Sequence, residues 1–577
     1  MGPVALGYGG AGRADFGPCE AAVPAAAAAA AERDDAGGIA AVAADATEPQ
    51  PPVAPSPLET AFEAAQWAQL SSAGNALQQL GLRAAAGSPE LAAMVRKRQD
   101  LIALVETNER ALSEAAESQG GENKMVRLRG EIDSLRSEIG ELDAGLLEAF
   151  PRYSDLASPA PLTIAEVQAL LEGDESLLLA LAGRSHIFVW AISKTASAWH
   201  QTSYGAELLA EDIAKLRAQL DPNASTRSAV SLVQTAEGPR VPAFDRTMAR
   251  LLHFELIVPV EHVLRPAKHV FFVGDGPLAG LPLSVLVASD TGGEDTDPEA
   301  LRNTDWLMKH HAFTTLPSVN SLNVIRKYPP VRGEDARVRF AGFGAPVLGG
   351  RKAEAVVAST GQQSFFRGSL ADVEAVRDLP PLPQTGPELK KLASVLGMGD
   401  EALYLGSRAS ETTVKQADLS GVDVLAFATH GLLSGDLEGL AEPALVLTPP
   451  EAASTTDDGL LTASEVADLK LSADWVILSA CNTAGGDGRP DAEGLSGLAR
   501  AFLYAGARAI LVSHWPVRDD AAARLTTDTL AALSRGKIRR SEALRQAMLS
   551  VMNDARDPSL AHPSAWAPFV IVGEGGY

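Results

Sequence analysis

The chain has 577 residues, 46% of them hydrophobic, and a formal net charge of −24 from 73 acidic and 49 basic side chains. That length predicts roughly three domains of about 100–200 residues each, with ample apolar content for packed cores, while the negative balance disfavours nucleic acid and anionic membrane as partners. The two cysteines, Cys19 and Cys481, fit a reducing compartment. No apolar run reaches the about 18–20 residues that span a bilayer, and no basic start with an apolar block marks a secretory signal. The expectation is a cytoplasmic protein, bacterial in the style of its composition.

Residues 1–57 are rich in Ala, Gly and Pro and end in Pro51-Pro52-Val53-Ala54-Pro55-Ser56-Pro57. Such a stretch cannot bury a core and reads as a disordered leader, with an over-extended translation start as the alternative. Residues 58–155 read as helix. Leu91, Met94, Val95, Leu101, Ile102, Val105 and Leu112 form one apolar face. After Gly120-Gly121, the series Met125, Leu128, Ile132, Leu135, Ile139, Leu142 and Leu146 steps by three and four. That is a coiled-coil seam, and the two long helices are expected to form an antiparallel hairpin, a scaffold or a dock for a regulatory protein.

Residues 156–345 change character. Thr163 is placed to cap a short helix. Leu177–Leu181, His186–Ile192 and Ala198–Thr202 read as a strand meander, followed by helices over Ala206–Leu220 and Phe244–Leu264. Lys268–Val273 is a buried strand running into Gly274-Asp275-Gly276-Pro277. Those glycines match neither phosphate-binding spacing, and Pro277 removes an N–H where one is needed; no nucleotide, metal or other cofactor is called for. Ser289–Glu299 and Leu348–Thr385 read as mobile loops, the second forming a flexible linker over 346–385.

From 386 onward, strand and helix alternate. Val422–Ala428, Ala444–Leu447, Trp475–Ala480, Ala509–Val512 and Phe569–Val572 are short apolar runs. They predict a three-layer α/β/α sandwich with a mostly parallel sheet, closed by the last of them. Three runs end in reactive side chains: His430, Cys481 and His514. In open α/β sheets, chemistry sits at the carboxyl ends of the strands. A free thiol is only a few per cent thiolate at neutral pH, and an adjacent imidazole activates it. Gly431 and the N–H of Cys481 are the candidate donors to an oxyanion. Each residue also has a plainer reading: a cysteine after an apolar strand is often a small buried hydrophobe, and a strand-end histidine is often structural. His514 competes with His430 as the base.

The motifs Thr429-His430-Gly431, Ser479-Ala480-Cys481-Asn482-Thr483, Glu493-Gly494-Leu495, Ala501–Ala507, Ser513-His514-Trp515-Pro516-Val517 and His562-Pro563 with Trp566–Phe569 together resemble a CHAT domain. CHAT domains are caspase-like cysteine peptidases related to separase, gingipain and clostripain. The resemblance covers about residues 160–577. It implies a caspase-like sandwich with an inactive half over 156–345 and a catalytic half over 386–577. It implies a His430/Cys481 dyad, with Gly431 and Cys481 supplying oxyanion-hole N–H groups and a specificity pocket partly walled by Ser513, His514 and Trp515. Cys481 follows His430 by 51 residues, close to the caspase interval of roughly 50, although the caspase Gln-Ala-Cys signature is absent. Loop acids at the catalytic edge, Asp436, Asp487, Asp491 and Glu493, would favour a basic residue before the scissile bond if they face the pocket; they also serve as solvated acids of an acidic protein. The tetratricopeptide repeats that commonly precede such domains are missing, and only the 58–150 hairpin stands in their place. The expected function is a cysteine endopeptidase acting on a protein substrate; an idle CHAT scaffold is the alternative, and a thiol acyltransferase a third reading.

Overall fold

The computed structural model describes residues 56–68, parts of 94–112, 122–149, 161–221, 243–290, 292–327, 338–349, 366–367, 370–432, 440, 442–454, 456–480 and 497–576. Residues 1–55 of the expected leader, the Gly120-Gly121 break and the loop acids lie outside these residues; Pro57, the leader's expected last residue, opens the first helix.

The strands, in chain order, are β1 (Glu175–Ala182), β2 (Ile187–Ser193), β3 (Ser197–Gln201), β4 (His269–Gly274), β5 (Ala312–Thr315), β6 (Phe340–Gly344), β7 (Phe366–Arg367), β8 (Leu370–Ala371), β9 (Leu403–Leu405), β10 (Val424–Ala428), β11 (Gly431–Leu432), β12 (Ala444–Val446), β13 (Leu460–Thr462), β14 (Trp475–Ser479), β15 (Ala509–Ser513) and β16 (Phe569–Gly573). Among the described residues, one sheet of eleven strands runs β3-β2-β1-β4-β5-β16-β15-β14-β10-β6-β9. The β1–β2–β3 meander and the β15–β16 pair are antiparallel; the other neighbours are parallel. β6, β10, β14 and β15 are buried at every residue, which is why they read as continuous apolar runs rather than alternating ones.

Helices cover both faces. They include α1 (Pro57–Ala68), α2 (Glu122–Ala149), α3 (Ile164–Leu170), α4 (Ala206–Leu220), α5 (Arg246–Leu256), α6 (Val319–Lys327), α7 (Thr385–Val395), α8 (Glu411–Gln416), α9 (Ala463–Asp468), α10 (Gly497–Ala505), α11 (Asp519–Arg535) and α12 (Arg540–Met552), beside four shorter helices of four to six residues. Alternation along the strands sorts the layers. Ala426, Ala428, Ile477 and Leu511 share a core with Leu216, Leu389, Leu525 and Leu544 of α4, α7, α11 and α12. Leu425, Phe427, Val476 and Ile510 share the opposite core with Ile164, Leu322, Val466 and Phe502 of α3, α6, α9 and α10. The expected three-layer α/β/α sandwich is therefore present. On the second face Tyr404 stacks on Phe343 at 4.5 Å, Phe343 on Phe427 at 5.4 Å, and Phe427 meets Phe502 at 5.5 Å. This aromatic row ties β9, β6 and β10 to α10.

Local chemistry sets the element ends. Thr163 and Glu166 form a capping box on α3, and Thr462 and Glu465 do the same on α9, each satisfying two otherwise orphaned N–H groups. Gly506, at φ +126°, ends α10 where a Cβ would stand 2.1 Å from the Leu471 carbonyl oxygen; only glycine fits. α4 occupies the expected span residue for residue.

Three features differ from the sequence reading. The helix expected over Phe244–Leu264 ends at Leu256, and Pro259 opens a separate 3-10 turn over Val258–Val260, because proline cannot supply the next helical N–H. The acidic Ser289–Glu299 loop is gathered around the buried Arg246, which donates to Asp295 and to the carbonyls of Gly292 (3.2 Å) and Gly293 (2.6 Å). β16 does not close the sheet: it sits near its centre, antiparallel to β15 and parallel to β5, and so joins the two half-sheets. Arg539 reinforces the join by reaching Asp174 (2.8 Å) and Glu172 (2.7 Å).

In the helical region, the seam residues Leu128, Ile132 and Leu146 of α2 are buried. Lys97 pairs with Glu138 at 2.6 Å, and Arg98 with Asp143. No described helix is long and apolar enough to cross a membrane.

Candidate active site

β10 and β14 pair in parallel with Ala428 opposite Ser479, and β15 lies on the far side of β14. Their carboxyl ends therefore share one edge. In sequence, His430 and Cys481 are each the second residue beyond the Ala428–Ser479 pair. Cys481, Asp436 and Asp491 lie outside the described residues; His430 and the strand ends form the described part of the site.

His430 is fixed at three points. The Thr429 N–H donates to the Ser479 carbonyl at 3.3 Å, tying the end of β10 to the end of β14. The Val446 N–H donates to the His430 carbonyl at 2.9 Å, and Gly431 opens β11, which pairs with Leu445 of β12. The ring itself lies with Nε2 2.7 Å from the Pro380 carbonyl oxygen. A carbonyl only accepts, so Nε2 carries the proton and Nδ1 is left with the lone pair. Burial holds the His430 pKa below the usual histidine value, against the opposite pull of the Pro380 carbonyl. The imidazole is thus neutral near pH 7, the form a general base requires.

Pro380 is placed by a small satellite core. Val376 and Leu379 pack with Leu432, Ala444, Val446 and Leu460, and the Ala371 N–H is held by Asp458 at 2.8 Å. Opposite, Gly344 lets β6 approach β10 closely, since a Cβ there would stand 2.5 Å from the Ala428 carbonyl oxygen.

The end of β14 is held from two sides. Ser479 Oγ donates to Glu388 at 3.1 Å, and Ser513 Oγ donates to the Ala480 carbonyl at 2.7 Å. Ser513, His514 and Trp515 are buried at 1%, 4% and 0% exposure. Trp515 donates its indole N–H to the Ser564 carbonyl at 3.0 Å. His514 lines a mostly apolar cavity with Phe272, Leu283, Ser284, Met548 and Phe569. Burial, with the Arg217 cation, drives its pKa down to about 3, so it is neutral at working pH. Among the described residues no cluster of three or more His, Cys, Asp or Glu is arranged to hold a metal.

Sequence reading missed Pro380 and Glu388. A backbone carbonyl leaves no residue signature beyond the Pro380-Pro381-Leu382-Pro383 run. Glu388, in the first turn of α7, reads as an ordinary complement to the helix dipole.

The CHAT domain family model matches residues 246–574, more than half of the chain, and the chain belongs to the CHAT domain family. Among curated proteins it is similar to tetratricopeptide repeat protein 28 of Homo sapiens, 26% identical over 407 residues, covering 61% of this chain and 14% of that protein. The Mus musculus protein of the same name is 27% identical over 370 residues, covering 56% and 13%. The chain thus spans about one-seventh of the length of these relatives. Among solved structures it is similar to the Arg-specific cysteine proteinase gingipain R, with 12% identity, 57% of this chain and 67% of that one covered, and a TM-score of 0.33. It is also similar to a chain of the Saccharomyces cerevisiae separase–securin complex, with 9% identity, 82% and 37% covered, and a TM-score of 0.36.

Proposed function

We propose that this CHAT protein is a cysteine endopeptidase with His430 as general base and Cys481 as nucleophile. The observation that carries the reading is the His430–Pro380 hydrogen bond of 2.7 Å, which holds a neutral imidazole with Nδ1 as proton acceptor. Nδ1 takes the thiol proton, and the thiolate attacks the scissile carbonyl carbon. The oxyanion is met by the N–H groups of Gly431 and Cys481. Collapse breaks the C–N bond, His430 returns the proton to the leaving amine, and water then hydrolyses the thioester to acid and free thiol. In this reading Asp436 and Asp491 favour a basic residue before the scissile bond, and the Ser513-His514-Trp515 strand end walls part of the specificity pocket. A regulatory protein would dock on the helices over 58–150, where α2 leaves Val126 69% exposed.

The competing reading is an idle scaffold, favoured by the burial of His430 to 4% exposure. A peptidyl electrophile separates the two. Labelling of Cys481 far faster than a free thiol, lost in His430→Ala, supports the peptidase. Comparison of new protein N-termini between wild type and Cys481→Ala cells then identifies substrates; identical N-termini together with slow labelling would sink the proposal.

A further inference from the structure

Among the buried acids of the described residues to which the proposed chemistry gives no task, Glu388 lies closest in the fold to the end of β14. Glu388 is 3% exposed, and its two oxygens have partners on different elements. Oε2 accepts from Ser479 Oγ of β14 at 3.1 Å, and Oε1 accepts from Thr526 Oγ1 of α11 at 2.6 Å. Among the described residues no cation is paired with it. The charged group acting on it is Asp519 at the start of α11, a like charge. Lys391, on α7 itself, gives its ammonium to Thr527 Oγ1 at 3.1 Å. β6 and β10, which pack against α7, carry no ionisable residue. β9 brings only Tyr404, stacked on Phe343 in the opposite core. Asp400 and Glu401 belong to the turn beyond the far end of α7.

Pro380 belongs to the same short stretch of chain that leads into α7. One segment therefore grips the ends of both neighbouring strands, β10 through the His430 ring and β14 through the Ser479 hydroxyl.

We propose that Glu388 is a positioning residue of the peptidase site, its buried carboxyl clamping the end of β14, from which Cys481 follows two residues on, against α11. This rests on the peptidase reading above. An apolar interior tolerates such a carboxyl only while its oxygens are hydrogen-bonded, so both hydroxyls are committed to it. The clamp also has two states. As a carboxylate, Glu388 accepts from both hydroxyls. As a neutral acid it carries its own proton and donates to one of them, and Thr526 Oγ1 then turns to the Ala522 or Ala523 carbonyl, each 3.2 Å away. Burial pushes the Glu388 pKa up to about 7, which puts the exchange between these states in the neutral range.

The test uses the full chain with Cys19→Ser, leaving Cys481 as its thiol, and follows alkylation by iodoacetamide from pH 5 to 9. The expected profile has the thiol's own ionisation and a second inflection near pH 7 that survives His430→Ala. Glu388→Gln loses that inflection, Glu388→Asp restores a shifted one, and Ser479→Ala loses it without touching the acid. In parallel, Glu388→Gln lowers kcat about 10- to 100-fold with little change in KM, the scale of a small misplacement of a reacting group. A profile in Glu388→Gln that superimposes on the parent overturns the proposal, as does a kcat equal to wild type. If Glu388→Gln does not fold, Ser479→Ala decides on the same criteria. If the inflection behaves as stated but no peptide is cleaved, the peptidase reading falls and the clamp stands.

Discussion

Nε2 of His430 lies 2.7 Å from the carbonyl oxygen of Pro380, fifty positions earlier in the chain. The acceptor is backbone, so the side chain at 380 matters less than the path of the chain. Pro380→Ala keeps the carbonyl and should retain most of the activity, whereas deleting Pro380 shifts the register of the satellite core and should cost as much as His430→Ala. Nitrogen NMR of labelled histidine should find the proton of His430 on Nε2 and a pKa under 6.5, the direction set by burial. A proton on Nδ1, or full activity in the deletion, would refute the assignment of His430 as base.

Buried histidines make acid destabilising. His514 is held down to about 3 and His253 to about 4, both chiefly by burial. Between those values and about 6.5 the unfolded chain binds protons that the folded one refuses, so stability rises with pH across that window. His514 alone accounts for about 3–5 kcal/mol between pH 3 and 6.5, at about 1.4 kcal/mol per unit. Among the described residues its Nδ1 has no hydrogen-bond partner, so His514→Phe loses no described bond there. Urea midpoints should show that variant gaining on wild type as pH falls from 6.5 to 4. Parallel curves would mean that His514 accepts a proton without cost.

Glu388 works in the opposite direction. Its folded pKa of about 7 lies above the 4.5 of an ordinary glutamate. Its stabilising contribution is complete below pH 4.5 and is lost as pH rises through 7. The loss is about 3 kcal/mol. Glu388→Gln keeps the shape and removes the ionisation. The variant should gain on wild type between pH 5 and 8 when urea midpoints are compared, and an unchanged difference across that range would show Glu388 to be ionised throughout.

The strand ends were legible because a fully buried parallel strand is an apolar run with an abrupt stop, and Val424–Ala428 and Trp475–Ser479 are buried at every position. The capping boxes at Thr163 and Thr462 were legible because they are local. What escaped is long-range or backbone chemistry. Nothing in Phe569–Val572 says that its neighbours are β15 and β5, since strand order is set by packing across the whole sheet. Ser289–Glu299 looks solvated because its partner, Arg246, is over forty residues away. Pro380 acts through an atom that every residue has, and Glu388 differs from a surface glutamate only in what surrounds it.

The aromatic row on the second face should dominate the stability of the half-sheet bearing His430. Phe343 and Phe427 are both fully buried, stacked at 5.4 Å, and flanked by Tyr404 and Phe502. Phe427→Ala removes a ring between two others and leaves a cavity, at about 3–5 kcal/mol. Phe427→Leu, keeping more volume, should cost less. Tyr404→Phe should cost little, because the stack with Phe343 survives. Urea unfolding of the three variants checks the order, and a Phe427→Ala cost under about 1 kcal/mol would mean that the row is not packed as described.

The helical region reaches the half of the chain that bears His430 through Arg96. Its guanidinium donates to the Ala467 carbonyl at 2.6 Å, in the last turn of α9, and lies 5.1 Å from the centre of the Tyr504 ring on α10. Tyr504 returns a hydrogen bond to Asp100 at 2.9 Å. A partly buried cation–π contact and a charged hydrogen bond together contribute about 1–3 kcal/mol. Arg96→Ala should therefore loosen the docking of the helices without unfolding the sheet. Amide exchange should rise across α2 and stay unchanged in β10, β14 and β15. Lys97→Ala is the control, because its pair with Glu138 is about half exposed and surface pairs contribute under about 1 kcal/mol. Equal exchange in both variants would place the attachment of these helices elsewhere.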